Sequence, residues 1–94
     1  MNLKNMTFKE KMNAVTDPNI SEDILREFSK AEDPWFRRTV AENPEVSGTL
    51  LVLLFEHEKS LKPPHVEVIQ ALYKNENLPT FAKRVIETLF GDML

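Results

Sequence analysis

Two short segments of this chain are near copies of one another, and their spacing limits what the chain can fold into. Asp17-Pro18-Asn19-Ile20-Ser21 and Asn43-Pro44-Glu45-Val46-Ser47 lie 26 residues apart. Each is a turn-forming Asp or Asn before proline, then an apolar residue, then a serine placed to cap a helix. The same offset lays Ile24 on Leu50, Phe28 on Leu54, Ala14 on Val40 and Thr7 on Asp33. A shift of 32 carries Asn43–Ser47 onto Asn75–Pro79, with Leu50 on Ala82 and Leu54 on Ile86. Self-similarity at a period of roughly 20–50 residues marks stacked supersecondary units, each burying its apolar face only against its neighbours.

The units read as helix pairs. Thr7-x-x-Glu10 is a capping box ahead of Phe8, Met12 and Val15 at helical spacing. Ser21 precedes two acids, Glu22 and Asp23, that suit the positive first turn of a helix carrying Ile24, Leu25 and Phe28 inward. Asp33-Pro34 places a cap before a proline at the first helical position, and Asn43-Pro44 stops that helix. Ser47 caps the next, which carries Leu50 to Phe55. Pro63-Pro64 opens a fifth through Val66, Ile69, Leu72 and Tyr73. Leu78-Pro79-Thr80 opens a sixth through Phe81, Val85, Ile86, Leu89 and Phe90, with Gly91 placed to end it.

The spacing predicts six helices, over 7–16, 21–31, 34–42, 47–59, 64–75 and 79–90. With two glycines and no Asn-Gly or Asp-Gly pair, hairpin chemistry is missing. The expected architecture is all-α: a short right-handed helical solenoid of three αα repeats in one domain. Its units run over 7–31, 33–59 and 63–90, with tails at 1–6 and 91–94.

Composition narrows the function. No cysteine is present, so disulfides, thiolate nucleophiles and zinc–thiolate sites are excluded. Lys4, Lys9 and Lys11 are not followed by the apolar stretch of a signal peptide. The longest apolar run, Leu50 to Phe55, is far shorter than the roughly 20 residues that cross a bilayer. A cytoplasmic location away from membranes is the expectation. Residues 13–58 hold ten acids against four bases, whereas 59–94 hold four acids against five bases. An acidic middle argues against a phosphate-binding groove.

The segment Ala31-Glu32-Asp33-Pro34-Trp35-Phe36-Arg37-Arg38-Thr39-Val40-Ala41-Glu42-Asn43-Pro44-Glu45-Val46-Ser47 resembles the leucine-rich repeat variant motif. That motif runs Asp-Pro, an apolar-Arg step, Val-Ala, then Asn-Pro, a capping residue and leucines. The likeness spans the middle unit and parts of the other two. It implies an armadillo/HEAT-like superhelix with a protein-binding role. One branch of that family carries a cysteine-bound iron–sulfur domain; this chain has no cysteine for it, and no cofactor is expected.

Position 52 is Val and position 53 is Leu, where their equivalents hold Arg26, Arg84 and Glu27. A central helix touched from both sides should lose its outward charge, so Val52 and Leu53 are expected in the core.

Trp35 and Arg38 lie three apart, opposite Phe36 and Val40, and Thr39 and Glu42 extend their face. Trp and Arg are enriched at interface hot spots, so Trp35, Arg38 and Glu42 are the candidate partner-binding residues. Trp35 and Arg38 could equally stack as a cation–π pair, or Trp35 could pad the joint between units. Arg37 falls on the family's Arg position, four residues after Asp33, the spacing of a helical ion pair. His57 stands between Glu56 and Glu58, neighbours that point apart on a helix and cannot chelate together. No metal site or catalytic constellation is expected.

The expected function is a non-enzymatic module for protein–protein interaction, with a regulatory or inhibitory role among its forms. Two alternatives stand beside it. A nucleic-acid-binding repeat would need Arg37, Arg38, Lys83 and Arg84 on one face. A weak homodimer would use the Leu50–Phe55 helix or the tail residues Phe90, Met93 and Leu94.

Overall fold

Local cap chemistry sets where the helices begin. A computed structural model describes residues 5–94, so most of the expected tail at 1–6 lies outside the described residues. Among them are six α-helices and no strand. In α1 (Phe8–Val15) the capping box is complete: Thr7 Oγ1 accepts the Glu10 N–H and Glu10 accepts the Thr7 N–H, both at 3.1 Å. Ser21 caps α2 (Glu22–Phe28), accepting the Ile24 N–H at 3.4 Å. Asp33 caps α3 (Pro34–Glu42), accepting the Trp35 N–H at 2.9 Å, and Ser47 caps α4 (Gly48–Ser60), accepting the Leu50 N–H at 3.1 Å. Each side chain satisfies an N–H that the helix itself leaves without a partner.

The last two helices, α5 (Val66–Lys74) and α6 (Thr80–Phe90), have no side-chain cap. Helix α5 starts two residues later than the expected 64. His65 is extended (φ −80°, ψ 122°), with its N–H bonded to a Glu58 carboxylate oxygen at 2.8 Å, which holds it outside the helix. Gly91 does not stop α6 by turning left-handed. It keeps a right-handed conformation (φ −56°, ψ −31°), and the chain tightens into a 3₁₀ turn over Gly91–Met93.

One turn recurs at both sequence offsets. The N–H of Asn19 bonds the Asp17 side chain at 2.9 Å, that of Glu45 the Asn43 side chain at 2.8 Å, and that of Asn77 the Asn75 side chain at 2.8 Å. Ile20, Val46 and Leu78 then each donate back to the carbonyl of the same Asp or Asn, at 3.1, 3.4 and 3.1 Å. These side-chain turns compete with helix and so break the chain at equivalent places.

The first helices of successive pairs pack in a row, α1 on α3 and α3 on α5. Helix α2 lies against α1 and α3, α4 against α3 and α5, and α6 against α5. The core between them holds Phe28, Val40, Leu50, Leu51, Leu54, Phe55, Ile69, Leu72 and Ile86, all essentially inaccessible to solvent. Phe28 and Phe36 stack across α2 and α3 with ring centroids 5.3 Å apart.

Several expectations about inward faces need correction. Leu53 is 47% exposed and Val52 half-buried, because α3 and α5 cover the side of α4 that carries Leu50, Leu51, Leu54 and Phe55. Those four leucine and phenylalanine side chains are core and offer no dimer face. On α5 it is Val68, Ile69, Ala71 and Leu72 that point inward, and Val66 is exposed. Phe81 and Leu89 of α6 are also exposed, whereas Phe90 and Met93 pack partly against the core.

Arg37 lies at the centre of the assembly, 4% exposed. Its partner is not Asp33, whose carboxylate caps α3, but Glu58 on α4. Nε and Nη2 donate to the two Glu58 oxygens at 2.7 and 3.3 Å, and Nη1 donates to the Ala31 and Glu32 carbonyls at 2.8 Å each. Glu58 also accepts the His65 N–H, so one buried ion pair fastens the α2–α3 connection, α3, α4 and the entry to α5.

Candidate functional site

The helices α3 and α5 enclose a surface groove of about 610 Å³. Its walls repeat one another. Arg38 and Glu42 line it from α3, and Glu67, Gln70 and Lys74 line it from α5. Positions 70 and 74 are positions 38 and 42 moved by 32, so two pairs of residues related by that offset line the same space. Ala41 and Ala71 form the floor, their small side chains leaving the depth open.

Two asparagines close one end and set the spacing of the walls. Asn75 donates through Nδ2 to the Ala41 and Asn43 carbonyls at 2.8 and 3.0 Å, and Asn77 likewise to Pro44 and Val46 at 2.8 and 2.9 Å. They occupy carbonyls at the end of α3 and in the turn after it, some of which the helix leaves free. Gln70 is held from the other side, its amide donating to the Met93 carbonyl at 2.7 Å.

The candidate residues Trp35, Arg38 and Glu42 all border this region. Arg38 is the hinge of it: Nε lies 3.4 Å from a Glu42 oxygen and Nη1 2.5 Å from Glu67 Oε2 across the gap. The guanidinium thus turns to carboxylates, and of the alternatives for Arg38 and Trp35 the cation–π stack gives way to charge pairing. Beyond the Arg38–Glu67 bridge a smaller recess of about 180 Å³ opens between Asp33, Pro34, Trp35 and His65. Trp35 is half-buried in its wall and meets Phe36 edge-on at 5.2 Å and Phe8 of α1 at 6.3 Å. It pads the joint with α1 and borders the recess at once.

Sequence reasoning missed the α5 half of the groove. The signal was present, since the 32-residue shift that aligns the turns also carries 35, 38 and 42 onto 67, 70 and 74. Nor do the four bases expected of a nucleic-acid binder share a face, because Arg37 is buried on Glu58. His57 sits in the last turn of α4 and His65 precedes α5. Among the described residues no three His, Asp or Glu side chains are grouped to hold a metal ion, and no helix is long and apolar enough to cross a membrane.

In chemical terms the groove offers carboxylates at Glu42, Glu67 and Glu76, cations at Arg38 and Lys74, and a small apolar floor. No family model, curated protein or solved structure matches this chain.

Proposed function

We propose that this chain is a three-unit helical-repeat module, of the leucine-rich repeat variant type within the armadillo/HEAT-like solenoids, that binds another protein through the α3/α5 groove. The observation that carries the reading is the groove itself. Arg38 and Glu42 of α3 face Glu67, Gln70 and Lys74 of α5 across it, and Trp35 borders the smaller recess beyond the Arg38–Glu67 bridge. The recurring turn at Asp17, Asn43 and Asn75 supports the repeat assignment. Open clefts of this size with a few convergent polar groups are the usual places where ligands seat. The groove does no chemistry in this reading; its product is a complex.

The test is affinity capture from the native cell with wild type, an Arg38→Ala/Trp35→Ala double variant, and a Lys9→Glu control at an exposed position of α1. Circular dichroism first establishes that all three fold. A protein retained by wild type and control and lost by the double variant is the expected result. Equal retention by all three, or by none, overturns the assignment of the groove.

A further inference from the structure

We infer, resting on the function proposed for the α3/α5 groove, that its partner carries a lysine or arginine on an extended segment and that this cation takes Glu67 from Arg38. The Arg38–Glu67 pair is the partition between the groove and the smaller recess, because both residues line each of them.

The two members of the pair are unequally placed to give it up. Arg38 also meets Glu42, four residues on along its own helix, through Nε, while Nη1 reaches Glu67. Separate nitrogens serve the two carboxylates, so the guanidinium can leave Glu67 and keep a partner. Glu67 has no such second choice on its own element. The positions three and four residues away are Pro63, Pro64, Gln70 and Ala71, none of them a cation. With Arg38 swung back onto Glu42, the two recesses join into one trough and Glu67 stands unpaired in the middle of it. The Arg38 and Glu67 side chains are 43% and 56% exposed, and exposed ion pairs contribute little to stability, so the exchange costs the fold little.

Charge selects the occupant. The two recesses are lined by four acids, Asp33, Glu42, Glu67 and Glu76, and two bases, Arg38 and Lys74. Lys74 and Glu76 offset one another near the asparagines, so the negative surplus lies around Arg38 and the smaller recess. Asp33 and His65 bring the N-terminal ends of α3 and α5 to that recess. Their partial positive charges, roughly half a unit each, reduce the surplus without reversing it. An acidic segment would meet net repulsion here, whereas a cation completes the pairing of Glu67.

The smaller recess suits a basic side chain in shape as well. At about 180 Å³ it admits a side chain and not a helix. Pro34 and Trp35 give it an apolar wall, with the Asp33 and Glu67 carboxylates at its border. Asp33 Oδ1 accepts the Trp35 N–H, leaving Oδ2 for a ligand. Lysine and arginine lay an apolar stem along such a wall and keep the charged head on the carboxylates, and a cation beside an indole gains a further attraction.

Trp35 is the single tryptophan, so its emission reports directly on the recess. The probes are three pools of end-blocked nonapeptides with varied uncharged flanks and a central arginine, leucine or glutamate. Immobilised wild type should retain the arginine pool above the other two, and that pool should shift the Trp35 emission. Glu67→Gln should lower this retention about tenfold, and Glu67→Asp, which keeps the charge, should restore most of it. Glu56→Gln removes the same charge from an exposed position of α4 outside both recesses and should change nothing. Circular dichroism first establishes that each variant folds. Retention of the leucine or glutamate pool as strongly as the arginine pool, with the Trp35 emission responding, overturns the cation and leaves the groove as the binding site. Equal retention of the arginine pool by wild type and Glu67→Gln overturns the exchange at Glu67. Retention of no pool overturns this proposal, while capture of a native protein decides the groove itself.

Discussion

Gly48 and the carbonyl oxygen of Asn77 stand so close that a Cβ at position 48 would lie 2.7 Å from that oxygen. The contact joins the first turn of α4 to the turn before α6. It explains why the position equivalent to Glu22 in the first pair carries no side chain in the second. Asn77 cannot retreat, since its side chain is bonded to Pro44 and Val46.

Gly48→Ala should therefore destabilise the fold by about 1–3 kcal/mol, the usual cost of overpacking, despite the better helix propensity of alanine. Gly91→Ala is the matching control. Its Cβ would meet nothing within 4 Å and its backbone is right-handed, so it should stabilise by about 0.4–1 kcal/mol. Urea midpoints of the two variants moving in the same direction would contradict this reading.

Removing either member of the buried ion pair should be severe. Glu58→Ala leaves the Arg37 guanidinium without its counter-charge in a site closed to water, and a loss of roughly 3–5 kcal/mol follows. Arg37→Ala strands Glu58 and the Ala31 and Glu32 carbonyls in the same way. The double variant should lose less than the two single losses added together, which a double-mutant cycle in urea measures.

Adjacent leucines on α4 should respond oppositely. Leu54 is fully buried, so Leu54→Ala should cost about 2–5 kcal/mol through lost contacts and the cavity left behind. Leu53 is 47% exposed, and Leu53→Ala should stay within about 0.5 kcal/mol of wild type. Thermal or chemical unfolding of the pair distinguishes the face of α4 that meets α3 and α5 from the face that does not.

Tyr73 should titrate above the ordinary phenol value of 10.0, because its hydroxyl donates to Glu87 Oε2, with slight burial of the ring and the negative charge of Glu87 adding to the effect. The folded state then holds the proton more tightly than the unfolded one. The stabilising contribution is complete below the unfolded pKa and fades as pH rises through the folded value. Tyr73 is the single tyrosine, so absorbance near the phenolate band follows it alone. Glu87→Gln should lower the midpoint, and an unchanged midpoint would show that the bond does not persist in solution.

Much of the helical layout was legible because caps are local. Thr7, Ser21, Asp33 and Ser47 each act on a backbone group two or three residues away, and the sequence carries both partners together. The Arg37–Glu58 pair was not legible, since its members are 21 residues apart and meet only once α4 has folded over α3. Asp33 at helical spacing was the nearer choice and was already engaged as a cap. Leu53 misled for a related reason: an unbroken run of apolar residues shows no periodicity, so it cannot say which part of a helix its neighbours will leave bare. For the groove, α3 could be read directly, while α5 required carrying the 32-residue offset from the turns to the faces.

The Arg37–Glu58 pair also bears on how the molecule comes apart. A row of helix pairs touching only its neighbours can lose its ends one at a time, since each junction is a separate event. Here a single charged contact holds the connection between the first two pairs, the body of the second and the start of the third. Peeling off either terminal pair breaks hydrogen bonds to this same buried centre. Unfolding should therefore be concerted, one transition rather than several, and hydrogen exchange in α3, α4 and α5 should reach a common ceiling rather than a staircase.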